Sequence, residues 1–140
     1  MVEAKQQRQF DHPASAVWAV LEEFGNLDWT EGVERIELIG EGVGMIRRLF
    51  MPGMDPIDEQ LTAVDSEAMW FSYDIPRGIP LPVSNYSAEA KVVALDDNRC
   101  EVRWIGRANA EGVSEEEAAA AIVSTYDMLF DWLQAHMDAR

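Results

Sequence analysis

Ser114 to His136 reads SEEEAAAAIVSTYDMLFDWLQAH, one amphipathic helix around which the rest of the chain is organised. Ser114 followed by Glu115, Glu116 and Glu117 is a helix start. The serine hydroxyl can cap the amide of Glu117, whose carboxylate reaches back, and the three acids sit at the positive end of the helix dipole. Ile122, Tyr126, Leu129 and Leu133 then recur at helical spacing, and Ala118, Ala121, Thr125, Met128 and Trp132 widen the apolar stripe. At about 1.5 Å per residue such a helix is ~35 Å long, enough to cross a small domain. A stripe this wide needs a large concave partner.

The preceding residues supply one as a sheet. Gly44 to Met51 and Ile57 to Asp65 are extended runs separated by Pro52-Gly53-Met54-Asp55-Pro56, a hairpin signal. A turn centred on Gly53 pairs Val43 with Ala63, Met45 with Leu61, Arg47 with Glu59 and Leu49 with Ile57 on one face. On the other face it pairs Gly44 with Thr62, Ile46 with Gln60, Arg48 with Asp58 and Phe50 with Pro56. The first face is apolar except for Arg47 and Glu59, so it points inward, and the second faces water. A turn through Ser66-Glu67-Ala68 then puts Met69, Phe71, Tyr73 and Ile75 on the inner face, opposite Asp65, Ala63, Leu61 and Glu59. Pro76 to Pro82 is too long for a tight turn and too apolar for a plain solvent loop, and reads as a lid. Tyr86 to Leu95 and Cys100 to Ala108 close the sheet through Asp96-Asp97-Asn98, with Tyr86, Ala88, Ala90 and Val92 inward against Gly106, Trp104 and Val102. Ala88 opposite Gly106 leaves room for a void or a ligand.

Ahead of these strands, Lys5 to Phe10 reads as an edge strand and Asp11-His12-Pro13 as a helix start, with Val17, Trp18, Val20 and Leu21 on the apolar side. Phe24 to Trp29 reads as a break and a second short helical turn, and Val33 to Gly40 as a strand. No repeat, low-complexity run or linker divides the chain, so residues 1–140 are expected to form a single domain.

Composition narrows function. The formal charge is −15, from 26 acids against 11 bases, which repels nucleic acid and anionic lipid. No apolar run approaches the ~20 residues of a membrane span, and the first residues lack a signal peptide's apolar core. Cys100 is the only cysteine, so an internal disulfide or a zinc-cysteine cluster is excluded, and a reducing cytoplasm is the expected location. His12 and His136 have no second ligand at metal-binding spacing. The glycines from Gly40 to Gly44 join strands and open no helix, so they form no dinucleotide fingerprint. No metal and no cofactor is expected.

Pro13-Ala14-Ser15-Ala16-Val17-Trp18 with Phe24 and Trp29, then Gly42-Val43-Gly44, Ile57 to Leu61, Asn85-Tyr86 and the final helix together resemble the START/Bet v1-like superfamily, also described as SRPBCC or polyketide cyclase/dehydrase-like. The resemblance covers almost the whole chain and implies an α+β helix-grip fold. That fold is a curved antiparallel sheet of about seven strands around the C-terminal helix, with two short helices after the first strand and a cavity between sheet and helix. Set beside the plant abscisic-acid receptors, Met51 to Pro56 resembles their gating loop and Pro76 to Val83 their latch, while Arg47, Glu59 and Tyr86 resemble their cavity arginine, glutamate and tyrosine. Glu34 falls where those receptors carry a carboxylate-binding lysine, so that hormone is not the expected ligand.

The expected function is binding of a small, mostly hydrophobic or amphipathic molecule in an internal cavity, by a monomer or homodimer. The candidate ligand contacts are Arg47, Leu49, Glu59, Leu61, Phe71, Tyr73, Tyr86, Ala88, Trp104, Tyr126, Leu129 and Phe130. The alternative is a polyketide cyclase/dehydratase-like enzyme, with Glu59 as base or acid, Arg47 steadying an oxyanion and Tyr73 as a candidate acid. A third reading is a regulatory or co-chaperone-like partner that uses the acidic surface or Trp70. Each residue also has a bland reading: Arg47 and Glu59 as a structural cross-strand pair, and the aromatics as filled core.

Overall fold

A computed structural model describes residues 1–140. The order is β1 (Val2–Phe10), α1 (Ala14–Glu22), β2 (Arg35–Ile39), β3 (Ile46–Phe50), β4 (Ile57–Asp65), β5 (Trp70–Arg77), β6 (Val83–Asp96), β7 (Arg99–Ala110) and α2 (Glu115–Asp138). Seven strands form one antiparallel sheet in the order β1-β7-β6-β5-β4-β3-β2, so the first strand lies beside the last. The expected short helices reduce to one. Phe24 to Trp29 forms turns instead, because Asn26 accepts from the Asp28 amide and Leu27 accepts from both the amide and hydroxyl of Thr30, which closes a single turn. Both edge strands also differ from the reading. β1 begins at Val2, earlier than expected, and β2 is shorter and largely exposed.

α2 starts at its serine cap: Ser114 Oγ accepts from the Glu117 amide at 3.1 Å, while Glu117 makes no return bond. The helix runs parallel to β1 from end to end. The Met1 amine lies 3.7 Å from Glu115, Gln6 donates to Asp127 at 2.8 Å, Arg8 to Asp131 at 2.7 Å, and His12 sits 2.7 Å from Asp138. Strand residues rise about 3.3 Å each and helix residues about 1.5 Å, so the two contours match at roughly 35 Å. Beneath the polar ties, Ile122, Phe130 and Leu133 are fully buried, and Phe130 meets Phe10 edge-on.

The β3–β4 register is the expected one: Ile46 faces Gln60, Arg47 faces Glu59, Arg48 faces Asp58 and Leu49 faces Ile57. Of the outward pairs, Asp58 is buried rather than wet, since Arg48 holds it through two bonds of 2.7 and 3.1 Å and Arg77 approaches to 3.9 Å. The β6–β7 hairpin also matches, with Ala88 facing Gly106, Ala90 facing Trp104 and Val92 facing Val102. Between β4 and β5 the expected register holds at Leu61–Tyr73 and the adjacent Gln60–Asp74 and is lost on either side. The turn takes a fourth residue, Met69, at φ 56°, so Val64 rather than Ala63 faces Phe71. A bulge at Thr62 restores the register at Leu61, and a second irregularity sits between Asp58 and Gln60.

The room expected between Ala88 and Gly106 is occupied. A side-chain carbon built on Gly106 would lie 2.1 Å from the Tyr126 hydroxyl, so the glycine exists to admit that tyrosine. Gly106→Ala is therefore expected to lose about 1–3 kcal/mol in urea denaturation through overpacking. Adding Tyr126→Phe, which removes the offending oxygen, should recover part of the loss. Simple additivity of the two changes would show that the clash is not the cause.

Candidate functional site

An apolar cavity of about 310 Å³ lies between α2 and the β3–β5 side of the sheet. Leu49, Ile57, Tyr73, Ile75, Tyr86 and Trp104 form the sheet wall, and Thr125, Tyr126, Met128, Leu129 and Trp132 the helix wall. The division follows from α2 having two inward flanks. Ile122, Phe130 and Leu133 are packed into the core beside β1 and β7, whereas Thr125, Leu129 and Trp132 lie around the helix toward the cavity. Leu27, Trp29, Thr30, Glu31 and Val33 from the α1–β2 connection complete the lining, together with Met51 and with Ile79, Pro80 and Leu81. Gly78, at φ 79°, packs directly on the Pro56 carbonyl, so the loop after β5 touches the loop before β4.

Arg47 and Glu59 are paired on the inner face. Arg47 Nε donates to Glu59 Oε1 at 2.7 Å, and their side chains are 8% and 14% exposed. Such an ion costs several kcal/mol to desolvate unless its hydrogen bonds are met. Here the guanidinium also donates to the Phe24 carbonyl at 2.8 Å and lies 3.8 Å over the Phe24 ring. The arginine thereby ties β3 to the chain segment that continues into the cavity lining. Glu59 Oε2 takes no hydrogen bond from the protein.

The three tyrosines of the sequence, Tyr73, Tyr86 and Tyr126, all border the cavity. Trp104 Nε1 donates to the Tyr73 hydroxyl at 3.2 Å, and the Tyr86 and Tyr126 hydroxyls share a 2.6 Å bond. Burial pushes the Tyr73 phenol up to about 12, and the nearby Glu59 charge adds to it. Burial likewise raises Tyr86 and Tyr126. At neutral pH all three are O–H groups, able to donate and unable to act as phenolate bases.

Of the residues singled out from the sequence, Arg47, Leu49, Glu59, Tyr73, Tyr86, Trp104, Tyr126 and Leu129 border the cavity. Leu61, Phe71, Ala88 and Phe130 do not; they are core. Phe71 is enclosed by the Trp18, Phe24, Tyr73 and Trp104 rings, and Phe130 by Phe10 and Trp104. Thr125, Met128 and Trp132 were already on the helix stripe, and Ile79 to Leu81 in the expected lid, so their place in the lining had a signal. Leu27 to Val33 had none, because an irregular segment has no period to read. No helix is long and apolar enough to cross a membrane.

Residues 1–138 match the family described as polyketide cyclase / dehydrase and lipid transport. The comparison with curated proteins finds no match. Among solved structures, the chain is similar to the XoxI protein of Bacillus cereus at 26% identity, with a TM-score of 0.86 over 97% of this chain and 95% of that one. Norcoclaurine synthase of Thalictrum flavum, solved with dopamine and hydroxybenzaldehyde, is similar at 20% identity and TM-score 0.76, over 99% of this chain and 87% of that one. The di-domain ARO/CYC protein BexL from the BE-7585A biosynthetic pathway aligns at 19% identity and TM-score 0.83, over 99% of this chain and 47% of that one. At these last two identities the likeness shows a shared fold.

Two outcomes follow from the cavity's electrostatics. Tyr73 titrates near 10 when unfolded and near 12 when folded. Its contribution is fully present below pH 10, and stability falls as pH rises toward 12, because the unfolded state then holds fewer protons. Urea denaturation should register the decline across that window, with Tyr86 and Tyr126 acting in the same direction. Tyrosinate absorbance rising near pH 10 in protein that is still folded would contradict it. Separately, Arg47→Ala should lose about 3–5 kcal/mol by stranding Glu59, while Arg47→Met combined with Glu59→Leu should stay close to wild type.

Proposed function

The chain belongs to the polyketide cyclase / dehydrase and lipid transport family, and from that premise we propose that it binds a small, mostly hydrophobic molecule between the sheet and α2. The observation that carries this reading is an apolar cavity of about 310 Å³ with an ion pair set in its wall. That volume is at the low end of the ~300–1,000 Å³ typical of ligand sites. The rings of Trp104, Tyr73 and Tyr86 offer flat apolar surface, and Arg47 and Glu59 a polar end to orient the guest.

A second reading is favoured by one specific feature, the unused Glu59 oxygen and a proton-bearing Tyr73 in the lining of one cavity. In a cyclase or dehydratase that carboxylate would take a proton from carbon and the tyrosine would donate to the developing enolate oxygen. The two readings separate on one variant. Glu59→Gln changes affinity in a binding protein, and in an enzyme it lowers turnover by orders of magnitude while binding persists.

A panel of neutral compounds of one to three rings tests the cavity itself. At 100 times its Kd a ligand adds about 2.7 kcal/mol, which is roughly 5–10 °C in Tm for a domain of this size. Thr125→Trp, which fills the space from α2, should abolish the shift. Stabilisation that survives this substitution, or none with any compound, would place binding elsewhere or nowhere.

A further inference from the structure

Resting on the reading of the cavity as a ligand site, we propose that its occupant is a neutral molecule carrying a hydroxyl group, a phenol or alcohol, and that carboxylates are excluded. Each tyrosine hydroxyl has one proton to give. Tyr73 receives a bond from Trp104. The Tyr73, Tyr86 and Tyr126 hydroxyls hold three protons and share bonds Tyr73–Tyr86 and Tyr86–Tyr126, so one proton is spare. Glu59 has one oxygen committed to Arg47 and one free. The cavity therefore presents a spare O–H, three Arg47 N–H groups without a protein acceptor and one spare carboxylate oxygen, and Arg47, bonded to Glu59, lies 5.7 Å over the Tyr73 ring, so donors and acceptor serve the same end.

A ligand hydroxyl meets both demands at once, accepting from a tyrosine and donating to Glu59. A ketone or ether accepts only and leaves the carboxylate unmet. A carboxylate fares worst. The Arg47 charge is matched by Glu59 at 2.7 Å, and the charged lining is one arginine against two glutamates, Glu59 and the exposed Glu31. An incoming anion thus meets no free cation inside and a surface of net charge −15 outside. An ammonium group satisfies Glu59, but it faces the Arg47 charge and the tyrosine protons.

Matched naphthalene probes test this by calorimetry at neutral pH. 2-Naphthol should bind about tenfold more tightly than 2-methoxynaphthalene, which has lost the donor, and more than a hundredfold more tightly than 2-naphthoate. Glu59→Gln keeps the shape and removes the charge, so it should narrow the naphthol–naphthoate gap at least tenfold. Naphthoate or the 2-naphthylmethylammonium ion binding wild type as tightly as naphthol would overturn the proposal while leaving the cavity reading intact. So would a gap unchanged by Glu59→Gln. Binding of no probe at all would sink both. If Glu59→Gln does not fold, the wild-type ranking alone decides.

Discussion

The pinning of α2 along β1 is the constraint from which the cavity follows. Strand and helix run parallel with equal contour length, and polar pairs hold them in step from Met1–Glu115 to His12–Asp138. Those pairs are largely exposed, and exposed pairs contribute at most about 1 kcal/mol each. They set alignment, while the burial of Ile122, Phe130 and Leu133 supplies the energy. A helix committed to the β1–β7 side of a seven-stranded sheet cannot also cover β3 and β4. That inner surface is bordered by one flank of α2 and closed over by irregular segments, Leu27 to Val33 and Ile79 to Leu81, which reach over it without filling it.

Arg47 is where the uncovered half acquires order. A lone guanidinium against apolar walls would be costly, and this one is met on three sides, by a carboxylate, a backbone carbonyl and a ring. Two of the three come from Phe24, so the pair is at once a cross-strand contact and a tether for the connection after α1. The structural and the functional readings of Arg47–Glu59 are therefore compatible. The charge of the arginine is matched by structure, three of its five N–H groups take no protein acceptor, and the free carboxylate oxygen belongs to the glutamate.

The sequence was legible where two signals agreed. For β3–β4 and β6–β7, alternation and a compact turn demanded the same pairing, and both registers hold. They diverged at β4–β5, where the turn depends on Met69 adopting φ 56°, a conformation that methionine does not advertise. Periodicity placed the α2 stripe but not its split, since a stripe wide enough for core and cavity looks the same for Phe130 and Leu129. Ala88 and Gly106 signalled space correctly. What fills it, Tyr126, lies far along the chain, and strand pairing carries no information about a helix docking from outside the sheet.

The tyrosines bear on whether this cavity can do chemistry. An acid–base pair needs one group that gives a proton and one that takes it near neutral pH. Burial raises all three phenols, so they can only give. Every proton-accepting role in the interior therefore falls to Glu59, because Glu31, the other acidic residue of the lining, is exposed. One of the Glu59 oxygens is already held by the Arg47 guanidinium 2.7 Å away, which leaves a single oxygen for a guest. That arrangement suits holding a hydroxyl in place better than stripping a proton from carbon. An enzymatic role would require the substrate itself to loosen the Arg47–Glu59 bond, by drawing the guanidinium onto its own developing negative charge.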